Sequence, residues 1–170
     1  TEGFGIPADR LSATVFMADE SLPGVPSDEE SARIWEEFLP RDQIIGRPPA
    51  DNFWGPAGTS GPCGPCTEVF FDRGEEFTEK EMNDVLVHGR HIEIWNAGVF
   101  MQYFKDEQGN FSPLPMKCVD TGAGLERFAM ILQGHASIHE IDQYEPSYQL
   151  INQRIGDTVW TRIILDHLKT

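Results

Sequence analysis

Leu11 to Met17 reads Leu-Ser-Ala-Thr-Val-Phe-Met, a run of β-branched and aromatic residues that predicts a strand. Leu22 to Pro26, with two prolines and a glycine, predicts a loop. Ser27 stands three residues before Glu30, a capping-box spacing that starts a helix running to about Phe38, with Pro40 stopping it. Ile34, Trp35, Phe38 and Leu39 fall on one stripe of that helix and are expected in the core. Gly55 to Cys66 holds four glycines and three prolines and predicts a rigid turn segment, from which a strand leaves at Thr67 to Asp72. Thr78 and Glu81 repeat the capping-box pattern and predict a short helix from Thr78 to Val87 in an acidic, peripheral stretch. His91 to Phe104 predicts a long strand broken at Ala97-Gly98 by a bulge, followed by a hairpin-like turn at Asp106 to Asn110. Pro146 to Ile155 and Thr158 to Lys169 predict two amphipathic helices.

Several strands in succession, with helices gathered at the end, favour an α+β fold: an antiparallel sheet with helices packed against it. The 170 residues suit one domain, with no internal repeat, linker or low-complexity segment. Charge changes the picture more than composition does. With 28 acids against 13 bases the net charge is −15, so this stretch alone is expected to bind nucleic acid poorly. No apolar run reaches the roughly 20 residues of a membrane span. Thr1-Glu2-Gly3-Phe4-Gly5 carries neither an initiator Met nor a signal peptide, which points to a cytoplasmic protein and to a fragment starting in mid-domain.

Chemistry concentrates at Lys117 to Gly134, which predicts a short strand, a glycine-bearing turn and a helix starting near Gly124. Gly122 and Gly124 leave the turn bare for a ligand, with Asp120 on one side and Arg127 about one helical turn beyond. A carboxylate and a guanidinium so placed suit a ligand with an amine at one end and phosphate at the other. Polar Glu93 and Asn96 in an apolar strand are expected to face a pocket or a paired group. Trp54, at the mouth of the Gly/Pro segment, is placed to wall a small apolar site. Each has a plainer reading as well: Trp54 as a core aromatic, Asn96 as a partner for strand backbone, Asp120 as a helix N-terminal charge, Arg127 as a solvated helix residue.

Cys63 and Cys66 have the spacing of half a zinc site or a redox pair. A closed zinc site needs four ligands, and Cys118 with the five histidines supplies no matching second pair. A redox pair wants a helix at the first cysteine, where a strand is expected instead. Structural cysteines in a tight turn are the leading reading, and metal or redox chemistry stays open beside it.

Asp51-Asn52-Phe53-Trp54, Gly61-Pro62-Cys63-Gly64-Pro65-Cys66-Thr67-Glu68, Glu93-Ile94-Trp95-Asn96 and Val119 to Arg127, in this order, resemble the catalytic core of the alanyl-tRNA synthetase family. Gly-x-Gly-Leu-Glu-Arg is similar to the third signature motif of class II aminoacyl-tRNA synthetases. The resemblance runs from about Leu11 to Thr170. It implies part of an antiparallel class II sheet and a parent ligase that forms alanyl-adenylate from L-alanine and ATP, then charges tRNA(Ala). It also implies that Asp120 holds the alanine ammonium and that Trp54, Asn96 and Val99 line the alanine pocket. Gly122 and Gly124 would lie under adenosine, and Arg127 would grip the ATP phosphates. Mg2+ is implied for the pyrophosphate leaving group, with Glu93 as a candidate ligand.

Three departures accompany the resemblance. Gly55 to Ser60 lengthens the connection between the Phe-Trp and Gly-Pro-Cys elements. Ala97-Gly98 stands where the family commonly has one residue, which bears on the register of Val99. The first two class II motifs, the tRNA-binding helices and the editing domain are expected outside residues 1–170. The chain is therefore expected to be part of an aminoacylation domain, with little activity alone. The alternatives are a non-catalytic synthetase-like module that binds alanine, an adenylate or another protein, and the Cys63/Cys66 metal or redox protein.

Overall fold

In a computed structural model the chain is described over residues 2–56, 58–77 and 89–168. The expected helix at Thr78 to Val87 lies outside these residues. The strands are β1 (Leu11–Phe16), β2 (Ile44–Arg47), β3 (Phe53–Trp54), β4 (Gly61–Asp72), β5 (His91–Lys105) and β6 (Phe111–Ala123). The helices are α1 (Glu29–Trp35), α2 (Pro49–Asn52), α3 (Leu125–Gln133), α4 (Glu145–Ile155) and α5 (Val159–Leu168). One sheet runs in the order β2-β1-β4-β5-β6, with β3 added beside β4. All pairings are antiparallel except β1 with β2, so the α+β expectation stands with one parallel pair at the edge.

The Gly55 to Cys66 expectation is corrected. From Gly61 onward the chain is strand, part of a β4 that pairs with β5 along its length. Gly and Pro composition argues for a turn, but pairing to β5 overrides it. The prolines are tolerated because β1 pairs only with Thr67 to Phe71, leaving Pro65 beside the two-residue β3. Gly64 is required there: a Cβ on it would run into the Phe100 carbonyl of β5. The β4–β5 register slips between Cys63 and Cys66, in the same stretch.

α1 is also shifted from expectation. Its cap is Asp28, which accepts from the Ser31 amide at 3.0 Å, whereas Ser27 Oγ accepts from the Ala18 amide at 2.9 Å. Trp35 and Leu39 pack inward as expected, but Ile34 and Phe38 are exposed. The β5 bulge falls where the pattern placed it. Thr67 pairs with Gly98 and Glu68 with Asn96, which leaves Ala97 as the extra residue. The hairpin turn closes through Asp106 Oδ1, which accepts from the Asn110 amide at 2.7 Å, with Gly109 in the left-handed region.

One face of the sheet is covered by α1 and α3, and the β1 end of the other by α2 and the Leu22 to Val25 segment. Val69, Phe71, Ile92 and Ile94 bury against Met130 of α3 and Ile141 beyond it. Ala13, Val15 and Ile44 bury against Ala32 of α1 and Leu39 after it. A cavity of about 320 Å³ on this helix side, lined by Phe4, Leu11, Trp35, Val69, Trp95 and Phe128, carries none of the predicted polar site residues. The opposite face holds Glu93, Asn96 and Asp120, and Arg127 reaches its edge from α3.

Candidate active-site face of the sheet

Directly paired residues in a sheet share a face, as do residues two apart along one strand. Cys66 pairs with Val99, and Val99 with Asp120. Glu68 pairs with Thr14 and with Asn96, and Asn96 with Gly122. Two neighbouring rows therefore cross the open face: Cys66–Val99–Asp120 and Thr14–Glu68–Asn96–Gly122. The expected residues Asn96, Val99, Asp120 and Gly122 are brought together by this register, and the Ala97 bulge is what puts Asn96 and Val99 on one face although they are three apart.

Gly122 ends its row as a strand residue, not in a turn, and no atom lies within 4 Å of the place a Cβ would occupy. Asp120 is exposed beside it, its Oδ1 accepting from the Thr121 amide at 2.9 Å. Val99 is buried. The face at this point offers a carboxylate, an apolar floor and an open slot.

Gly124 does different work from Gly122. It caps α3 with its own backbone, and the Arg127 stem lies across it, with Cδ 3.1 Å from the position of a Cβ. Arg127 in turn donates from Nη1 to the Glu93 carbonyl at 2.7 Å and to Glu93 Oε2 at 3.2 Å. The guanidinium keeps Nε and Nη2 free of Glu93, so it can still donate to an anion. Trp54 lies further off. It pairs with Gly64 on β3 and is 40% exposed, and its strand stands three strand spacings, about 14 Å, from that of Asp120.

The register also brings in residues that sequence reasoning left without a role. Glu68 Oε1 accepts from Asn96 Nδ2 at 3.3 Å and from the Cys66 thiol at 3.8 Å. Burial, then the charges of Glu93 and Asp51, pushes the Glu68 carboxyl up to about 7. Asn52 is fully buried and donates to Thr14 Oγ1 at 2.8 Å and to the Cys66 carbonyl at 3.0 Å, which anchors α2 under the row. The visible signal for Glu68 is a lone acid among Thr67, Val69, Phe70 and Phe71.

The thiols of Cys63 and Cys66 are buried and favour their protonated form. Burial, then the Glu68 charge, pushes Cys66 up to about 12, and burial raises Cys63 as well. Cys63 donates to the Tyr103 carbonyl at 3.6 Å, away from the Glu68 partner of Cys66. Among the described residues no group of three His, Cys, Asp or Glu could hold a metal ion.

A sheet with its longer helices on one face, and a strand running through a glycine cap into an arginine-bearing helix, is the architecture of a class II synthetase catalytic domain. The chain belongs to that family: the family described as tRNA synthetases class II (A) matches residues 1–170. Among its relatives, an alanine–tRNA ligase of Treponema denticola is 44% identical over 175 residues, covering 98% of this chain and 28% of that protein. One of Borrelia hermsii is 42% identical over 173 residues, covering 96% of this chain and 28% of the relative. One of Rubrobacter xylanophilus is 40% identical over 186 residues, covering 99% of this chain and 21% of the relative. The chain thus spans less than a third of the relatives it matches. Among the described residues no helix is long and apolar enough to cross a membrane.

Proposed function

We propose that residues 1–170 are part of the aminoacylation domain of a cytoplasmic alanine–tRNA ligase, and that the open sheet face binds L-alanine and ATP and forms alanyl-adenylate. The observation that carries this reading is the pair of cross-strand rows ending at Asp120 and at the open Gly122. Asp120 takes the alanine ammonium, Val99 floors the site under the methyl group, and Asn96 supplies a second polar contact. Trp54 closes the far side as a wall. The Gly122 backbone lets the adenosine end approach, Gly124 lets the Arg127 stem cross, and Arg127 neutralises phosphate charge. In-line displacement of pyrophosphate by the alanine carboxylate needs this kind of positioning and charge balance and no covalent step by the protein.

Mg2+ fits the face. The charges of Glu93 and Asp51 both bear on Glu68, and Mg2+ in phosphate sites is held by one or two carboxylates plus phosphate oxygens. Glu93 is the residue that would hold it, and the bound ion would offset charge on the departing pyrophosphate. The tRNA(Ala) acceptor end comes to the same face, while the net charge of −15 leaves most of the tRNA grip to other parts of the protein.

The test is Asp120→Asn in the full-length protein, assayed by alanine-dependent pyrophosphate exchange. The reading expects the KM for alanine to rise at least about tenfold, the scale of losing a hydrogen bond to a charged group. Unchanged exchange removes Asp120 from the site. Alanine binding without any exchange in the unmodified protein would instead indicate a non-catalytic binding module.

A further inference from the structure

The geometry points to Glu68 as the residue that sets which end of the Asn96 amide meets the ligand, and so makes this part of the face select an ammonium group. The proposal rests on the reading of this face as the alanine site.

Glu68 and Asn96 are direct cross-strand partners, with Asn96 Nδ2 donating to Glu68 Oε1 at 3.3 Å. Above about pH 7 the Glu68 carboxyl is ionised and can only accept, so it takes the amide nitrogen and leaves Oδ1 as the remaining polar atom. That Oδ1 is shut off from solvent and has no hydrogen-bond partner among the described residues. An unsatisfied buried acceptor costs about 1–3 kcal/mol, a penalty that a ligand donor relieves. The next residue in the row is Gly122, where nothing stands within 4 Å of a Cβ position, and Asp120 lies two residues before it.

The exposed Asp120 carboxylate borders the slot, and the Asn96 carbonyl, covered but unpartnered, lies beside Gly122 in the next row, where a small turn of the amide presents it to a donor in the slot. An ammonium has three donors to give and nothing to accept. Were the amide reversed, its NH2 would face the ammonium and repel it.

The surroundings hold Glu68 in this role. Its Oε1 also receives the Cys66 thiol, which burial keeps protonated and therefore able to donate. The Thr14 hydroxyl, itself bound by Asn52, hydrogen-bonds the Glu68 carboxylate from the β1 side. No contact to the ligand is required of Glu68, which makes it a positioning residue.

The experiment is a double-mutant cycle of Glu68→Gln and Asn96→Ala in the full-length protein, with Asp120→Asn as a reference, read by alanine-dependent pyrophosphate exchange. A glutamine can both donate and accept, so it no longer dictates the orientation of the amide. Glu68→Gln is expected to raise the KM for alanine about tenfold, with the KM for ATP and kcat within about twofold. It should add nothing in the Asn96→Ala background. Glu68→Asp, shorter but still acceptor-only, should give a smaller rise than Glu68→Gln, and Glu68→Ala takes the place of Glu68→Gln in the cycle if that variant does not fold.

Four outcomes overturn the proposal. An unchanged alanine KM in Glu68→Gln, beside a raised one in Asn96→Ala, removes Glu68 while the site reading stands. Fully additive effects show that Glu68 does not act through Asn96. An equal rise in Glu68→Asp and Glu68→Gln shows that the acceptor-only character is irrelevant. If Asn96→Ala and Asp120→Asn both leave the alanine KM unchanged, the reading of the face fails and the proposal falls with it.

Discussion

Arg127 is tied to Glu93 twice, through the backbone carbonyl at 2.7 Å and through Oε2 at 3.2 Å. The first turn of α3 is thereby pinned to β5, and the guanidinium is held at the edge of the open face before any anion arrives. A lysine there is a point charge without the planar fork, and it cannot hold this geometry while serving an anion. Arg127→Lys in the full-length protein is therefore expected to raise the KM for ATP about tenfold while changing the KM for alanine less than about twofold. Pyrophosphate exchange with each substrate varied in turn makes the comparison. Equal effects on both substrates would show that Arg127 serves the fold and not the phosphates.

Glu68 gives a pH dependence whose sign is opposite to that of an ordinary salt-bridged acid. Its carboxyl is pushed from 4.5 up to about 7, by burial first and the Glu93 charge second. Between those values the folded chain keeps a proton that the unfolded chain has released. The stability associated with neutral Glu68 is full below 4.5 and is lost as pH rises to about 7. Glu68→Gln stays neutral throughout. Its thermal midpoint should match that of the unmodified chain near about pH 5 and exceed it near about pH 8. A difference independent of pH would contradict this. Asp72 works the other way: the hydrogen bonds from Arg90 hold it at about 2, so its contribution is present above 3.8 and lost as pH falls toward about 2.

The three cysteines should separate by reactivity. Cys63 and Cys66 are buried with raised thiols, whereas Cys118 is exposed. Iodoacetamide attacks thiolate, so in the native chain at about pH 7.5 the label is expected on Cys118 alone. Unfolding should release all three for labelling. Peptide mass spectrometry reads the result. Rapid native labelling of Cys66, or stoichiometric zinc lost on changing Cys63 and Cys66 to serine, would restore the metal or redox reading.

Features that depend on a few neighbouring residues were legible in the sequence. β1, the Asp106 to Asn110 turn, the Ala97 bulge, α4 and α5 each follow from local pattern or turn chemistry. Features set by partners distant in the chain were not. The Gly61 to Cys66 segment has turn composition, yet β5 and β3 draw it into a strand. Ile34 and Phe38 lie on the expected stripe, but α1 ends at Trp35 and both side chains remain exposed. For the site, Asp120, Asn96, Val99 and Gly122 could be named in advance, whereas the Glu68–Asn96 bond could not. Two register slips lie between β4 and β5 on the stretch from Thr67 to Phe70, and each changes which residues meet. The distinct jobs of Gly122 and Gly124 were hidden for a related reason, since only the path of the Arg127 stem tells them apart.

The central claim is that the slot over Gly122 receives the ligand. Gly122 lies in extended strand with nothing within 4 Å of a Cβ position, so Gly122→Ala leaves the fold room to form. The measurement is alanine-dependent pyrophosphate exchange by full-length protein carrying Gly122→Ala, on material whose thermal midpoint matches that of the unmodified protein. The account predicts a kcat/KM reduced at least about tenfold, because the methyl group stands where the ligand must lie. Exchange kinetics equal to those of the unmodified protein would contradict it.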